Sequence, residues 1–217
     1  MATLNRVYVW EFPVRLTHWL NFVAIISLGI TGFYIGAPFI HAIREHQFIM
    51  AKFRFVHFVA AYVFAVCVLV RIFWWFAGNS FARWDQFLPV SKARRENLFG
   101  TAQFYCFLRK DCPEAIGHTG IAGLTYFFLI ILFVIEMLTG FALYSQSHVG
   151  ALWTVLGGWV FAILNEGTVR LVHHCIMWLI VVFVILHVYI GWHNDLIERN
   201  GLMSSIFSGY KSRKECR

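Results

Sequence analysis

The chain has 217 residues, 59% of them hydrophobic and 13% charged, against roughly 45–50% and about 25% in a typical soluble domain. With a mean hydropathy of +0.66, too little charge remains to cover a water-facing surface, which excludes a soluble domain, a disordered chain and a disulfide-stapled secreted module. The formal net charge of +7 therefore reads first as a membrane topology bias and not as nucleic-acid binding.

A spanning helix needs about 20 mostly apolar residues, and four stretches qualify. Residues 18–40 contain no Asp, Glu, Lys or Arg, and residues 55–77 meet Arg71 only near their end. Residues 119–144 are interrupted by Glu136 alone, and residues 171–193 are again free of those four types. A fifth apolar run, 149–164, is shorter and carries Gly150, Gly157 and Gly158.

The basic residues decide whether that fifth run crosses. Arg6 and Arg15 precede the first span, and Arg83, Lys92, Arg94, Arg95, Arg109 and Lys110 lie between the second and third. Arg199, Lys211, Arg213, Lys214 and Arg217 follow the fourth, whereas the alternate connections hold only Arg44, Lys52, Arg54 and Arg170. Four crossings put the basic segments together on the cytoplasmic side; a fifth would separate them. The expectation is an all-α membrane protein: one domain over residues 1–217, a four-transmembrane-helix bundle with N- and C-termini cytoplasmic. Residues 93–108 should form an amphipathic segment along the inner membrane surface, and residues 149–164 a short interfacial helix on the outer side. The first apolar run is too long for a signal h-region and lacks an A-x-A-like site, so it reads as an uncleaved span. Cys67, Cys106, Cys112, Cys175 and Cys216 form no CxxC or CxxCH, which gives neither a zinc framework nor a covalent haem attachment.

Ten histidines remain. His41, His46 and His148 fall in connections, where an ordinary loop role suffices. In the fourth span an α-helix turning 100° per residue leaves His173 and His187 about 40° apart on one face and about 21 Å apart along the axis. His174 and His193 fall well off that stripe. Two histidines so far apart cannot share one small metal ion, but each can ligate its own haem iron, one near each side of a core roughly 30 Å thick. His57 at the start of the second span matches the outer depth of His173, and His18 at the start of the first matches the inner depth of His187. The expected axial ligand pairs are therefore His57/His173 and His18/His187. Gly29, Gly32, Gly36 and Gly140 would let a flat macrocycle approach the backbone. Arg15, Arg54 and Arg170 each precede a ligand by three residues and are candidates to pair with haem propionates. His118, opening the third span on the cytoplasmic side, is a candidate for a quinone's vicinity, and Glu136 is an intramembrane ionisable residue without an assigned role.

Residues 15–32, RLTHWLNFVAIISLGITG, and residues 173–189, HHCIMWLIVVFVILHVY, resemble the two histidine signatures of the b-type cytochrome subunit of membrane-bound nickel–iron hydrogenases. The segments IGHTGIA (116–122), TGFALYS (139–145) and SGYKS (208–212) are similar to that family as well. Cys175 departs from the usual aliphatic residue, and the outer loop has a composition of its own. The resemblance implies two haem b groups, an exchangeable quinone and no hydrogen-splitting site in this chain. It further implies anchorage of the hydrogenase small subunit, with its iron–sulfur clusters and membrane anchor helix, and of the large subunit, at a bacterial cytoplasmic (inner) membrane. Electrons would pass from those clusters through the outer and inner haems to quinone. The alternatives are the two-haem cytochromes of formate dehydrogenase or thiosulfate reductase complexes, which share the four-helix plan, and a haem-free anchor or transporter. A transporter should show spans broken near mid-membrane, and the only span proline, Pro38, lies at a helix end.

Overall fold

A computed structural model describes residues 4–40, 48–111, 113 and 115–214. His41, Arg44, His46, Cys112, Cys216 and Arg217 lie outside the described residues. In chain order the elements are β1 (Leu4–Tyr8), α1 (Phe12–Gly36), α2 (Ile49–Ala77), α3 (Lys92–Tyr105), α4 (Gly120–Ser145), α5 (Ala151–Leu156), α6 (Glu166–Glu198), α7 (Leu202–Ser208) and β2 (Tyr210–Lys214).

Helices α1, α2, α4 and α6 are long and apolar enough to cross a membrane, with mean hydropathies between 1.6 and 2.4 over their most apolar stretches. Lipid offers the backbone no hydrogen-bond partners, so spanning segments satisfy their peptide groups within the helix. Three of the four begin more than a turn before the apolar runs: α1 at Phe12, α2 at Ile49 and α6 at Glu166. Hydropathy marks where lipid-compatible side chains begin, whereas the helical hydrogen-bond ladder continues into the polar flank. There Pro13 fits the first turn, where its missing N–H costs nothing, and Arg15, Arg54 and Arg170 can reach polar surroundings on long stems. His18, His57 and His173 consequently lie inside their helices, more than a turn from the helix N-termini.

The remaining connections take the expected helical forms. Residues 92–105 form α3, whose N-cap Ser91 accepts a hydrogen bond from the Arg94 amide at 3.2 Å. The apolar run after α4 makes only the short α5 and a 3₁₀ turn at Gly158–Ala162, too brief to span. The terminal strands were not expected: β1 and β2 pair antiparallel from Leu4↔Lys214 to Tyr8↔Tyr210. Each is five residues long, and partners so distant in sequence leave no local periodicity to read.

The chain divides into two compact units, each drawing on all four long helices. One comprises Met1–Leu16, Val70–Ile131 and Val184–Arg217, and the other Thr17–Leu69 and Leu132–Phe183. In the first, Val9, Trp10, Val14 and Ala82 form a buried cluster with Trp74, Phe81, Ile116 and Ile206 against it. Trp10 donates its indole N–H to Ser205 Oγ at 2.9 Å. Glu11 Oε2 accepts from Trp74 Nε1 at 2.8 Å and the Asn79 amide at 2.7 Å, so these polar groups beside the cluster are paired. Gly209 ends α7 at φ +88°, and a Cβ there would lie 2.6 Å from Tyr8 Cε2.

In the second unit the four helices close a ring. Phe64 meets Phe133 between α2 and α4 with centroids 4.9 Å apart, and Phe33 meets Trp178 between α1 and α6 at 5.0 Å. Thr31 reaches His57 between α1 and α2, and Thr139 reaches His173 between α4 and α6. Beyond the end of α5, a Cβ on Gly157 would lie 2.3 Å from the Ala142 amide nitrogen of α4. A Gly157→Ala substitution should therefore force the loop off α4 and destabilise the protein by about 1–3 kcal/mol, read as a lowered thermal unfolding midpoint in detergent. An unchanged midpoint would refute that close approach.

Candidate functional site

A cavity of about 750 Å³ lies within the second unit, in the size range of small-molecule and cofactor sites. Its wall includes Leu28 and Gly29 of α1, His57 of α2, Glu136 of α4, and His173 and Met177 of α6. A Cβ on Gly29 would meet nothing within 4 Å, so this stretch of α1 presents bare backbone beside open space.

His57 and His173 are held in parallel ways from different helices. His57 Nδ1 lies 2.8 Å from Thr31 Oγ1, and His173 Nδ1 lies 3.0 Å from Thr139 Oγ1. Each threonine also hydrogen-bonds its own helix: Thr31 Oγ1 donates to Ser27 O at 2.6 Å, and Thr139 Oγ1 to Ile135 O at 2.9 Å. The residue after each threonine is glycine, and a Cβ on Gly32 or Gly140 would lie 3.4 Å from Cε1 of the neighbouring His57 or His173. Glu136 Oε1 stands 3.4 Å from His173 Nδ1, and its Oε2 is buried without a hydrogen-bond partner among the described residues.

The other cavity residues divide between expected and missed. Arg54 and Arg170 line the cavity, although Arg170 is already paired with Glu166 through Nη2–Oε1 at 2.6 Å and Nε–Oε1 at 2.8 Å. His174 donates Nδ1–H to Arg170 O at 2.7 Å, and its Nε2 is 3.1 Å from where a Cβ on Gly36 would stand. His148 is more than a loop residue: its ring stacks on Tyr144 at 3.8 Å and lines the cavity. Sequence reasoning also missed Thr31 and Thr139. The recurrent Thr-Gly-Phe at 31–33 and 139–141 was the available signal.

His187 belongs to the first unit, where its Nδ1 lies 3.1 Å from the Tyr126 hydroxyl. His118 stands just before α4 and packs against Trp10, Tyr126 and Phe87 at centroid distances of 4.7, 5.0 and 5.2 Å. Its carbonyl accepts from Arg94 Nη1 at 2.8 Å, and its Nδ1 is buried without a hydrogen-bond partner among the described residues. Burial, then the charges of Arg71, Lys211, Arg94 and His187, hold its pKa well below the ordinary histidine range. His118 is therefore a neutral imidazole at pH 7, suited to hydrogen bonding and not a standing proton donor. Arg15, in the same unit, donates from Nη1 to the Phe207 carbonyl. The His18 ring meets Trp19 edge-on at 5.3 Å.

Residues 9–209 match the family described as prokaryotic cytochrome b561. The chain belongs to that family. This cytochrome is 39% identical over 98% of its length to the probable Ni/Fe-hydrogenase B-type cytochrome subunit of Cupriavidus necator, covering 90% of that protein. It is 38% identical to the relative of the same description in Azotobacter vinelandii (98% of this chain, 91% of the relative). It is 35% identical to the probable Ni/Fe-hydrogenase 1 B-type cytochrome subunit of Escherichia coli K12 (95% and 91%). The protein is thus a bacterial multi-pass membrane cytochrome of the b type, whose cofactor is haem b.

The second unit's residues fit that cofactor. The cavity is mostly apolar and large enough for a macrocycle, bare backbone at Gly29 faces open space, and two imidazoles stand on its wall with Nδ1 engaged. Neutral histidine is a common metal ligand when its other ring nitrogen is hydrogen-bonded. For His118, a folded-state pKa below the unfolded value of about 6.5 means that the unfolded chain takes up the proton first. Stability should fall as pH drops below about 6.5, by up to about 1.4 kcal/mol per unit. Thermal midpoints between pH 7.5 and 5 should show a shallower acid slope in His118→Gln; equal slopes would contradict the buried neutral imidazole.

Proposed function

We propose that this cytochrome is the transmembrane electron carrier and membrane anchor of an uptake nickel–iron hydrogenase in the cytoplasmic membrane. On this reading it receives electrons from the iron–sulfur clusters of the small subunit and delivers them to quinone. The observation that carries it is the apolar cavity with His57 and His173 on its wall, each with one ring nitrogen engaged by a threonine. The hydrogenase partner rests on the relatives, three of which are described as hydrogenase cytochrome subunits.

When bound, two haem b groups supply reversible one-electron carriers at two levels of the membrane. His57 and His173 would hold the outer one, and two imidazole ligands would leave the iron no open position for oxygen chemistry. The apolar wall excludes water and so contributes to setting the potential. Arg54 lines the same cavity and is a candidate for a propionate, whereas Arg170 would have to share itself with Glu166. The inner pair, His18 with His187, is proposed from their matched depths in the sequence; the Tyr126 hydroxyl at His187 Nδ1 supports a ligand role for that imidazole. His118, neutral and with a buried ring nitrogen lacking a hydrogen-bond partner among the described residues, could offer one hydrogen bond to a quinone oxygen near that level.

The antiparallel pairing of residues 4–8 with 210–214 supports an even number of crossings, and the basic segments then assign that side to the cytoplasm. The test is haem quantification per polypeptide with a reduced-minus-oxidised spectrum. Wild type should carry two b haems; His57→Ala and His173→Ala should each lose the same one, and His187→Ala the other. Full haem retention in all three variants would end this reading. Co-purification with hydrogenase subunits in mild detergent tests the partner separately.

A further inference from the structure

We infer that Thr31 and Thr139 are positioning residues that fix which nitrogen of His57 and of His173 is presented to the haem iron. The inference rests on the proposed ligation by these two histidines. Its argument is one of proton accounting. A threonine hydroxyl has one proton to give. Thr31 gives it to Ser27 O at 2.6 Å and Thr139 gives it to Ile135 O at 2.9 Å. Both hydroxyl oxygens must therefore accept at their second contact, and the donor there is the histidine Nδ1–H, at 2.8 and 3.0 Å.

A neutral imidazole carries a single N–H, so with the proton on Nδ1 the lone pair resides on Nε2. That is the nitrogen free to bind a metal, and an acceptor at Nδ1 raises its basicity.

Glycine completes the device. Directly after each threonine, Gly32 and Gly140 leave room for Cε1 of the same ring, where a Cβ would already stand at 3.4 Å. One residue grips the ring and the next lets it lie close to the helix. The same two-residue arrangement occurs on α1 facing α2 and on α4 facing α6. The two copies differ in one respect: His173 Nδ1 has a second side-chain acceptor, Glu136 Oε1, at 3.4 Å.

The test uses the full-length, haem-loaded protein in detergent, with Thr31→Val, Thr31→Ser, Thr139→Val and Thr139→Ser. Valine keeps the shape of threonine and removes the hydroxyl, and serine restores the hydroxyl. The readouts are haem per polypeptide, the midpoint potential of the affected haem and its low-spin ferric electron paramagnetic resonance signal. Thr31→Val should raise the midpoint, because a less basic imidazole stabilises the oxidised iron less, and should shift the resonance or lower haem occupancy. Thr31→Ser should move all of these back towards wild type. Thr139→Val should show a smaller shift, with Glu136 taking over as acceptor. Wild-type potential and resonance in Thr31→Val, or a serine variant as impaired as the valine one, would overturn the inference. If His57→Ala and His173→Ala keep the full haem complement, the ligation reading itself has failed, an outcome read independently of the threonine variants.

Discussion

An imidazole placed in an apolar cavity must still satisfy its N–H, because an unpaired buried polar group costs free energy comparable to a lost hydrogen bond. His174 finds its acceptor in its own helix, at the Arg170 carbonyl, whereas for His57 and His173 a side-chain acceptor comes from a neighbouring helix. In this cytochrome it comes from threonine hydroxyls on α1 and α4. Such a short side chain reaches only if the helices approach closely, and at Gly32 and Gly140 a Cβ would stand 3.4 Å from the neighbouring ring, at van der Waals contact. The contact of α1 with α2 and that of α4 with α6 thus meet the same requirement, that a polar ring be buried without being orphaned, and both histidines line the cavity.

The other unit meets its polar requirements differently. There the terminal strands pair, and Glu11, Asn79 and Ser205 supply partners for the indoles and amides around Trp10. His118 stands apart from this economy: it is sandwiched by aromatic rings, surrounded by cationic side chains and left with an unengaged nitrogen. Such an imidazole is held neutral by burial and by charge repulsion. A structural role alone gives little reason for that arrangement, whereas a carbonyl-bearing ligand would supply the missing partner.

Much of the architecture was legible in the residue order. Four spans followed from apolar length, and the distribution of basic residues was the ground for reading the 149–164 run as one that does not cross. The amphipathic stretch became α3 with almost the expected bounds. Three of the long helices begin before their apolar runs, because hydropathy reports lipid contact and not where helical hydrogen bonding begins. The strand pair escaped notice since its partners lie at opposite ends of the chain. His148 escaped for a related reason: only the turn after α4 brings its ring onto Tyr144 and the cavity wall. Arg15 was grouped with Arg54 and Arg170 by its spacing from a histidine, but its guanidinium is engaged at the Phe207 carbonyl.

Sequence alone determined that this is a membrane protein of four spans, and that His173 and His187 share a helix face, because composition and the 3.6-residue period are properties of the chain itself. The tertiary structure decided which neighbours those imidazoles would have. Thr31 and Thr139 read in isolation as unremarkable mid-span residues, since a hydroxyl bonded to its own helix looks complete. Only when α2 and α6 are packed against them does the second lone pair acquire a purpose, and that depends on interhelical distances of a few ångströms that no periodicity encodes.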